Sequence, residues 1–566
     1  MDTIKLPIGV SDFRELRKGE FYYIDKSQFI PELINSSSLV TLIPRPRRFG
    51  KTLNMTMLQS WFEKLPEGGT HTHLLDGLKA DITLGEHHAL RGKIPVVFLS
   101  FKDVKETTAA EVIRKITEVV QAETIRLSPW WEDAPIEIQF RRKLDSLRDG
   151  VPTSAELSMS LQTITHILAK VSGHPPLVLI DEYDTPITSG VEHGFFTEVV
   201  NFFRNFLSAG LKDNSFIWKG VLTGILQVSK ENLFSGLNNI VVLPLVETDL
   251  DSCFGLLEDE VQKLLSDFGL IDKIDEVREW YNGYLFGANQ IYNPWSLISY
   301  VSRPHTGFQP FWVNTASTLL MGKAIAGSNG ILRDEIEVLI QQGSVQTSID
   351  QHVQYHEEGI RPDDIWSFFL FTGYLTPAIP THLDESGQHV AQLKIPNKEV
   401  LVAYQKLVTD WTKEKLGSSE AVTDMLTGLI TGDEELFVPE FNKLIETVLS
   451  THDVTRRTSE SFYHAFVTGM LVQLNATHLI RSNRESGRGR YDVMVEPRDK
   501  SRYPGVIIEF KVVPAKGSLE ETLESAHQQI VEKRYAAELR QAGCREVIQW
   551  GIVFRGKESL ISVREG

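Results

Sequence analysis

Residues 38–62 read SLVTLIPRPRRFGKTLNMTMLQSWF, in which a β-branched apolar run is followed by a basic turn and a stretch that favours a helix. This order of strand, tight turn and helix is typical of a phosphate-binding P-loop that ends at Gly50, Lys51 and Thr52. Phosphates bind the free N–H groups of a helix N-terminus, a lysine reaches the β and γ oxygens, and a hydroxyl binds Mg²⁺. Arg45 stands where the usual GxxxxGK[ST] pattern has its first glycine. A Gly-Lys-Thr tripeptide also occurs in turns that have no function, so a second motif is needed.

The second motif is PLVLIDEYD at residues 176–184, an unbroken apolar run that ends in carboxylates. Beside a P-loop, Asp181 is the candidate to hold Mg²⁺, and Glu182 is the candidate base that polarises water. These acids could instead only end a strand and cap the next segment. A third strand, in FIWKGVLTGIL at residues 216–226, ends near Thr223, which either senses the γ-phosphate or satisfies a backbone group. Together the motifs predict a nucleotide site.

Another candidate site lies near the C-terminus, where GRGRYDVMV at residues 487–495 precedes GVIIEFKV at residues 505–512. Alternate side chains of a strand face the same side, so Glu509 and Lys511 should project together. Asp492 and Glu509 are candidate ligands of one or two Mg²⁺ ions that activate water, and Lys511 would position that water or stabilise the charged phosphorus state. An exposed strand can carry Glu-x-Lys by chance. Charges that interrupt a buried strand are costly, however, which favours a site or mutual pairing.

Composition excludes several other classes of protein. Lys and Arg number 58 against 75 Asp and Glu, a net charge of −17, so nucleic-acid binding would require a local basic patch. Residues 481–516 carry nine basic and five acidic side chains, although such a run is more often a solvated hairpin. Cys253 and Cys544 are the two cysteines of the chain, which argues against disulfides and zinc and fits a reducing compartment. Apolar runs are far shorter than a membrane span and no secretory signal is evident, so we expect a soluble cytoplasmic protein without membrane association.

These motifs stand among segments that resemble the AAA-ATPase-like proteins with a C-terminal PD-(D/E)XK nuclease domain. The matching segments, which extend over most of the chain, are LPIGVSDF (6–13), FYYIDKSQFI (21–30), RPRRFGKT (45–52), LVLIDEYDTPI (177–187), LFSGLNN (233–239), WYNGYLFG (280–287), IYNPWSLISYV (291–301), FWVNT (311–315), GYLTP (373–377), ESFYHAF (460–466), GRGRYD (487–492), EFK (509–511) and AHQQIVEKRY (526–535). In that family RPRRFGK is the usual form of the P-loop. The resemblance implies nucleotide contacts by Gly50, Lys51 and Thr52, with Asp181 and Glu182 as the Walker B pair.

The resemblance also bears on the segments around the P-loop. The basic turn makes Arg47 and Arg48 candidate nucleotide contacts, and the family pattern suggests that Tyr23, Asp25 and Lys26 lie near the nucleotide.

Three further residues are singled out by the same resemblance. It implies that Glu460 completes the acidic cluster of the nuclease site, although this residue could equally interact with a helix macrodipole. It implies that Gln529, on the helix after the last site strand, lines the same site. Gln227 stands after TGIL where an arginine is expected, and if that arginine supports hydrolysis, turnover should be slow or absent.

The predicted fold class is α/β. We expect an AAA-like P-loop ATPase domain at residues 1–245, a helical lid at 246–345, a helical or winged-helix-like linker region at 346–450 and a restriction-endonuclease-like domain at 451–566. The linker region could equally be a structural spacer.

The leading functional hypothesis is an ATPase whose nucleotide state controls a Mg²⁺-dependent phosphodiesterase that acts on DNA or RNA, with ATP and Mg²⁺ as cofactors. The alternative is a switch protein that binds ATP or ADP and captures nucleic acid or a protein without cutting. Either protein could form a homo-oligomer. The unusual loop and Gln227 favour the switch, whereas the complete set of Asp492, Glu509 and Lys511 favours the nuclease.

Overall fold

A computed structural model describes residues 5–84, 89–228, 239–312, 335–336, 338–340, 343–351, 361–404, 406, 419–450, 471, 474, 477–482, 485–486, 489–490, 492–514, 517–555 and 558–566. The chain divides into two compact units, Met1–Asn314 with Gln346–Glu399 and Thr315–Val345 with Val400–Gly566. The predicted linker region 346–450 is therefore shared between the units. The finer division into four domains stays a prediction.

The first unit is built on a parallel sheet of apolar strands. These strands are β1 (Val40–Pro44), β2 (Val96–Ser100), β3 (Leu177–Asp181), β4 (Lys219–Gly224) and β5 (Ile240–Val242). They lie in the order β2-β3-β4-β1-β5, and all their pairings are parallel. Because the carboxyl ends of parallel strands meet at one edge, residues at the ends of β1, β2, β3 and β4 are brought together there.

Two helices precede β1, and further helices lie between the strands of the sheet. They are α1 (Phe13–Lys18), α2 (Phe29–Asn35), α3 (Lys51–Phe62), α4 (Lys79–Thr83), α5 (Ala109–Leu127), α6 (Ile138–Asp149), α7 (Ser154–Ser158), α8 (Ser160–Ser172), α9 (Thr185–His193) and α10 (Phe196–Leu211). Local capping sets several boundaries. The Thr108 hydroxyl, for example, accepts the N–H of Glu111 at the start of α5.

In the rest of the first unit, helices alternate with short strands, and the helical lid stays a prediction. After β5 come α11 (Glu258–Asp267), α12 (Ile274–Tyr281), a hairpin of β6 (Tyr284–Phe286) and β7 (Asn289–Ile291), and α13 (Pro294–Ser302). The next elements are β8 (Val345–Ile349), α14 (Ile365–Thr372), β9 (Thr376–Pro377), β10 (His382–Leu383) and β11 (His389–Lys394). Within the predicted linker region, α14 is thus followed by an antiparallel hairpin of β10 and β11, and a winged-helix fold stays a prediction.

The second unit contains a mixed sheet. Its described elements are α15 (Ser419–Thr431), α16 (Glu434–Ser450), β12 (His478–Ser482), β13 (Glu485–Ser486), β14 (Gly489–Arg490), β15 (Val493–Pro497), β16 (Gly505–Val512), α17 (Leu519–Lys533), α18 (Ala536–Gln541), β17 (Val547–Arg555) and β18 (Glu558–Glu565). The main sheet runs β12-β15-β16-β17-β18, and only the β16–β17 pairing within it is parallel. Its apolar face packs on α15 and α16 through a core that includes Phe437, Phe441 and Trp550.

Candidate nucleotide and nuclease sites

The predicted phosphate loop ends in a left-handed turn. Gly50 has φ +87° and immediately precedes α3, whose first residue is Lys51. A side chain at this φ would be strained, so glycine is required by the backbone rather than by packing. Because the first N–H groups of a helix have no partner within it, the twelve-residue helix α3 presents free donors and the positive end of its dipole to this turn.

Asp181, at the end of β3, lies at the centre of a cluster of hydroxyl groups. Thr52 Oγ1 donates to Asp181 Oδ2 at 2.8 Å, and Thr223 Oγ1 donates to Oδ1 at 2.7 Å. Ser100 Oγ, at the end of β2, lies 3.4 Å from Oδ2. Burial raises the pKa of the Asp181 carboxyl, and the charge of Glu182 adds to the rise. The structure thus joins the P-loop, the acidic strand end and the third strand at one carboxylate.

Lys51 is held by the loop itself and by Glu182. Its Nζ donates to the carbonyls of Arg45 at 3.1 Å and Pro46 at 3.2 Å, and it lies 3.2 Å from Glu182 Oε1. Glu182 adopts φ +53°, a left-handed conformation that is uncommon outside glycine. The candidate base is therefore ion-paired with the candidate phosphate ligand in this conformation.

The side chain of Arg45 is bound by protein groups, although its carbonyl holds Lys51. Its side chain is fully buried, and Nη1 donates to the carbonyls of Pro44 at 2.9 Å and Leu243 at 2.7 Å. The guanidinium also lies 5.3 Å from the ring centre of Phe254 and 5.6 Å from that of Phe286. The residue in the place of the first glycine is thus a packing and hydrogen-bonding residue beneath the loop.

The other two arginines of the loop differ from each other. Arg48, predicted to contact the nucleotide, donates to the Phe311 carbonyl at 2.9 Å and lies 4.3 Å from the ring centre of Trp295. The structure therefore places its guanidinium against protein groups. The Arg47 side chain is half-buried, and its carbonyl accepts the indole N–H of Trp312 at 3.1 Å. A nucleotide contact by Arg47 stays a prediction.

Tyr23, Asp25 and Lys26 interact with protein groups in this conformation. The Tyr23 hydroxyl accepts the N–H of Lys26 at 3.2 Å, and Asp25 Oδ1 accepts the N–H of Ser27 at 2.9 Å. Lys26 forms an ion pair of 2.6 Å with Glu260. Their proximity to a nucleotide stays a prediction.

The acids of the candidate nuclease site stand on adjacent strands. β15 and β16 are antiparallel and pair Val493 with Ile508. Continuing this register by one residue places Asp492 opposite Glu509, where Cβ atoms are about 4.5–5.5 Å apart. Asp492 Oδ2 also accepts the N–H of Phe510 at 2.8 Å. Burial raises the pKa of Asp492, so the site favours a cation or a proton beside this carboxyl.

Gln529 joins the remaining members of this site. Lys511 Nζ donates to Gln529 Oε1 at 2.7 Å, and Gln529 Nε2 donates to Glu509 Oε1. Glu509 and Lys511 therefore share a face of β16, as the strand period predicts. Tyr535, which was not predicted from the sequence, lies with its hydroxyl 3.5 Å from Gln529 Nε2. Residue Glu460 lies outside the described residues.

Comparison with known families separates the two sites into two domains. Residues 7–234 match a family described as a predicted AAA-ATPase, and residues 458–563 match the PD-(D/E)XK nuclease superfamily. The chain carries an AAA-ATPase-like domain and a PD-(D/E)XK nuclease-superfamily domain. The AAA-ATPase-like domain contains the cluster around Asp181, and the nuclease-superfamily domain contains Asp492, Glu509 and Lys511.

One curated relative is the "Uncharacterized protein in vnfD 5'region" of Azotobacter chroococcum mcd 1. It is 28% identical over 320 residues, which cover 56% of this chain and 55% of that protein. The matched part of the chain thus spans about half the length of this relative.

In the AAA-ATPase-like domain, Asp184 is a functional candidate that sequence reasoning missed. Its Oδ2 accepts the N–H groups of Ile225 at 2.8 Å and Leu226 at 3.0 Å, and the Tyr183 hydroxyl donates to the Leu226 carbonyl at 2.8 Å. Burial raises the pKa of Asp184 to about 6. The DEYD segment therefore binds the turn after β4, where Gln227 is buried. The repeated acid in DEYD is the sequence signal that could have indicated this contact.

In the nuclease-superfamily domain, part of the predicted basic patch is neutralised. Arg481 pairs with Glu496 at 2.7 Å and with Glu538 at 2.5 Å, and Lys500 pairs with Glu496 at 2.9 Å. Arg484 lies outside the described residues. The excess of positive charge that is free to meet a phosphate backbone is therefore smaller than the sequence count suggests.

In the part of the chain that the structure describes, no helix is long and apolar enough to cross a membrane. The same residues contain no group of three or more His, Cys, Asp or Glu side chains that could hold a metal ion.

Proposed function

We propose that the AAA-ATPase-like domain binds ATP with Mg²⁺, and that its nucleotide state controls hydrolysis of nucleic-acid phosphodiester bonds at the nuclease-superfamily site. The observation that carries the nucleotide half is the Thr52–Asp181 hydrogen bond, which joins motifs 129 residues apart in the chain. ATPase and nuclease families supply the classes of activity, and the contacts at the two sites support the roles of individual residues.

The residues of the nucleotide site suit a hard cation. Thr52 and Asp181 offer a hydroxyl and a buried carboxylate, the oxygen ligands that Mg²⁺ prefers. Bound Mg²⁺ would neutralise charge on the β and γ phosphates. Lys51 would exchange its bond to Glu182 for phosphate oxygens. Glu182, released in this way, would accept a hydrogen bond from the attacking water.

The residues of the nuclease site suit the same kind of ion. Asp492 and Glu509 face each other across two strands, and burial raises the pKa of Asp492, so a cation would relieve a cost already present. Bound Mg²⁺ would lower the pKa of a water molecule and neutralise the scissile phosphate. Lys511, oriented by Gln529, would place its ammonium on the phosphate oxygens as negative charge develops.

The test uses the full chain with single-stranded DNA, duplex DNA and RNA, each with Mg²⁺ and with ATP, ADP or no nucleotide. Lys511→Met should abolish cleavage and leave ATP binding unchanged, whereas Lys51→Ala should abolish ATP binding and the effect of nucleotide on cleavage. Lys533→Met and Lys115→Ala remove lysines outside the two sites and serve as matched controls. If no substrate is cut under any nucleotide condition, the nuclease half of the proposal is wrong.

A non-cleaving switch is the second candidate, and Gln227 favours it. This side chain is buried, and its Nε2 has no hydrogen-bond partner among the residues that the structure describes. An amide without a positive charge stabilises a developing phosphate charge less than an arginine would. ATP binding with no turnover, combined with nucleotide-dependent capture of uncut nucleic acid, would support the switch against the nuclease.

A further inference from the structure

Glu399 is a buried carboxylate far from both candidate sites in sequence. Its side chain is fully buried, and it accepts the N–H of Trp312 at 2.6 Å and the hydroxyl of Ser296 at 2.7 Å. Ser296 lies in the first turn of α13, and all three residues belong to the first compact unit. A buried carboxylate is stable only when such donors satisfy it, so Glu399 fixes the backbone at Trp312.

Trp312 in turn holds the phosphate loop. Its indole donates to the Arg47 carbonyl at 3.1 Å, and its ring centre lies 5.2 Å from that of Tyr374. The preceding residue, Phe311, accepts a hydrogen bond from Arg48 at 2.9 Å. Two successive residues of the RPRRFGK turn are therefore bound to two successive residues of the segment that follows α13.

These contacts coincide with the places where the chain leaves the first unit. The first unit ends once after Asn314, two residues beyond Trp312, and again after Glu399 itself. The chain passes between the units at three points, and it returns to the first unit between Val345 and Gln346. The two points at which it leaves the first unit thus lie close behind Trp312 and Glu399, which are hydrogen-bonded to the phosphate loop directly or through Trp312.

We propose that Trp312 and Glu399 are positioning residues of the nucleotide site, and that through them nucleotide binding in the loop is transmitted to the two points at which the chain leaves the first unit. The transmission rests on the proposed function, because it requires that the loop bind a nucleotide. The positioning of the loop does not depend on it. Neither residue is placed on the nucleotide.

The geometry favours this role over packing alone. The apolar surface of a buried indole stabilises the fold in any orientation of the ring. Here the single N–H donor of Trp312 is also directed at a carbonyl of the loop. Burial raises the pKa of Glu399 and the positive charge of Arg48 lowers it, although the two side chains form no ion pair in the described structure. Burial also raises the pKa of Tyr281 and of Tyr284, and the negative charge of Glu399 adds to this rise. A leucine would satisfy packing at position 399 without the cost of a buried carboxyl.

Equilibrium binding of MgATP and amide hydrogen exchange of the full chain test the proposal. Trp312→Phe keeps most of the ring but removes the donor, so MgATP affinity should fall about 3- to 10-fold, the worth of one hydrogen bond. Glu399→Leu should lower the MgATP affinity by at least as much. Glu399→Gln keeps an acceptor for the Trp312 N–H, so its MgATP affinity should be much closer to that of the wild type. Trp280→Phe, at a ring stacked on Phe308, is the matched control and should bind as the wild type does.

Hydrogen exchange separates the two parts of the proposal. Without nucleotide, residues 44–50 should exchange faster in Trp312→Phe than in the wild type. MgATP should slow exchange at 44–50 and 396–404 in the wild type, but it should not slow exchange at 396–404 in Trp312→Phe. Ser296→Ala, a milder change, should shift both readouts in the same direction if Trp312→Phe does not fold.

The outcomes are distinct. Wild-type affinity in Trp312→Phe, with unchanged exchange at 44–50, would overturn the positioning role. Nucleotide-dependent slowing at 396–404 that persists in Trp312→Phe would overturn the transmission. If the wild type binds no MgATP, the proposed function and the transmission both fail, while faster exchange at 44–50 in the variant would still support the positioning role.

Discussion

The hydrogen bond from Thr223 to Asp181 allows a quantitative prediction. Both side chains are fully buried, and the 2.7 Å bond ends on a carboxylate. Thr223→Val preserves the shape of the side chain and removes the hydroxyl donor. A hydrogen bond to a charged group contributes about 1.5–3 kcal/mol, and no water can replace it at this depth. Thr52 at 2.8 Å and Ser100 at 3.4 Å would be the remaining donors.

We therefore expect Thr223→Val to lower the free energy of unfolding of the first unit by about 2 kcal/mol. Urea unfolding at pH 7 measures this difference. Thr124→Val is the matched control, since the Thr124 hydroxyl is equally buried but donates at 2.7 Å to the Val120 carbonyl of its own helix, which is a neutral acceptor. The control should lose less than about 1 kcal/mol.

If the charge of the Asp181 carboxylate strengthens the hydrogen bond, Thr223→Val must lose more unfolding free energy than Thr124→Val. Equal losses in Thr223→Val and Thr124→Val would refute the argument that Thr223 stabilises an ionised Asp181. The loss from Thr223→Val should also shrink as the pH falls, because protonation of Asp181 removes the charge that strengthens the bond. A loss independent of pH would point to packing. Thr223→Ser keeps the donor and should remain close to the wild type.

Three other changes give separate tests. Burial raises the pKa of Glu399 to about 7 from 4.5, so its contribution to stability is present below pH 4.5 and is lost as the pH rises through 7; Glu399→Gln should remove this pH dependence, worth up to about 3 kcal/mol, from urea unfolding curves. Gly551→Ala would bring a Cβ within 2.9 Å of His527 Nε2, so the melting temperature should fall with a loss of about 1–3 kcal/mol, and an unchanged melting temperature would contradict the packing. Gln529→Leu releases the Lys511 ammonium, so kcat for cleavage should fall at least about 10-fold with nucleic-acid affinity unchanged; the adjacent exposed Gln528→Leu should not reproduce it.

Local patterns were sufficient for the elements that carry the sites. The apolar run Leu39–Ile43, within the segment 38–62 that predicts a strand, turn and helix, is found as the strand Val40–Pro44, and the helix after the loop begins at Lys51. The β-strand period placed Glu509 and Lys511 on one face, where both contact Gln529. These features depend on residues close together in sequence, so periodicity and capping are enough to predict them.

Other features did not follow from local pattern. The apolar positions after the capping residue Ser518 predict one helix that ends at Gly543, but this helix is interrupted at Arg534, which has φ +57°. The last strand, Glu558–Glu565, was not predicted. Ser100 reaches Asp181 only because their strands are neighbours in the sheet. Strand order is a property of the whole sheet, and no short segment contains it.

The amino-acid sequence by itself determined which residues could carry the chemistry: the Gly-Lys-Thr turn, the acids after β3, and the carboxylates and lysine of the second unit. Only the tertiary structure decided how the basic loop residues are used. Arg45 is buried beneath the loop, Arg48 binds the Phe311 carbonyl, and the Arg47 carbonyl accepts the Trp312 indole. An arginine in a phosphate loop can bind a ligand or the protein, and the choice depends on acceptors that lie more than 190 residues away in the chain.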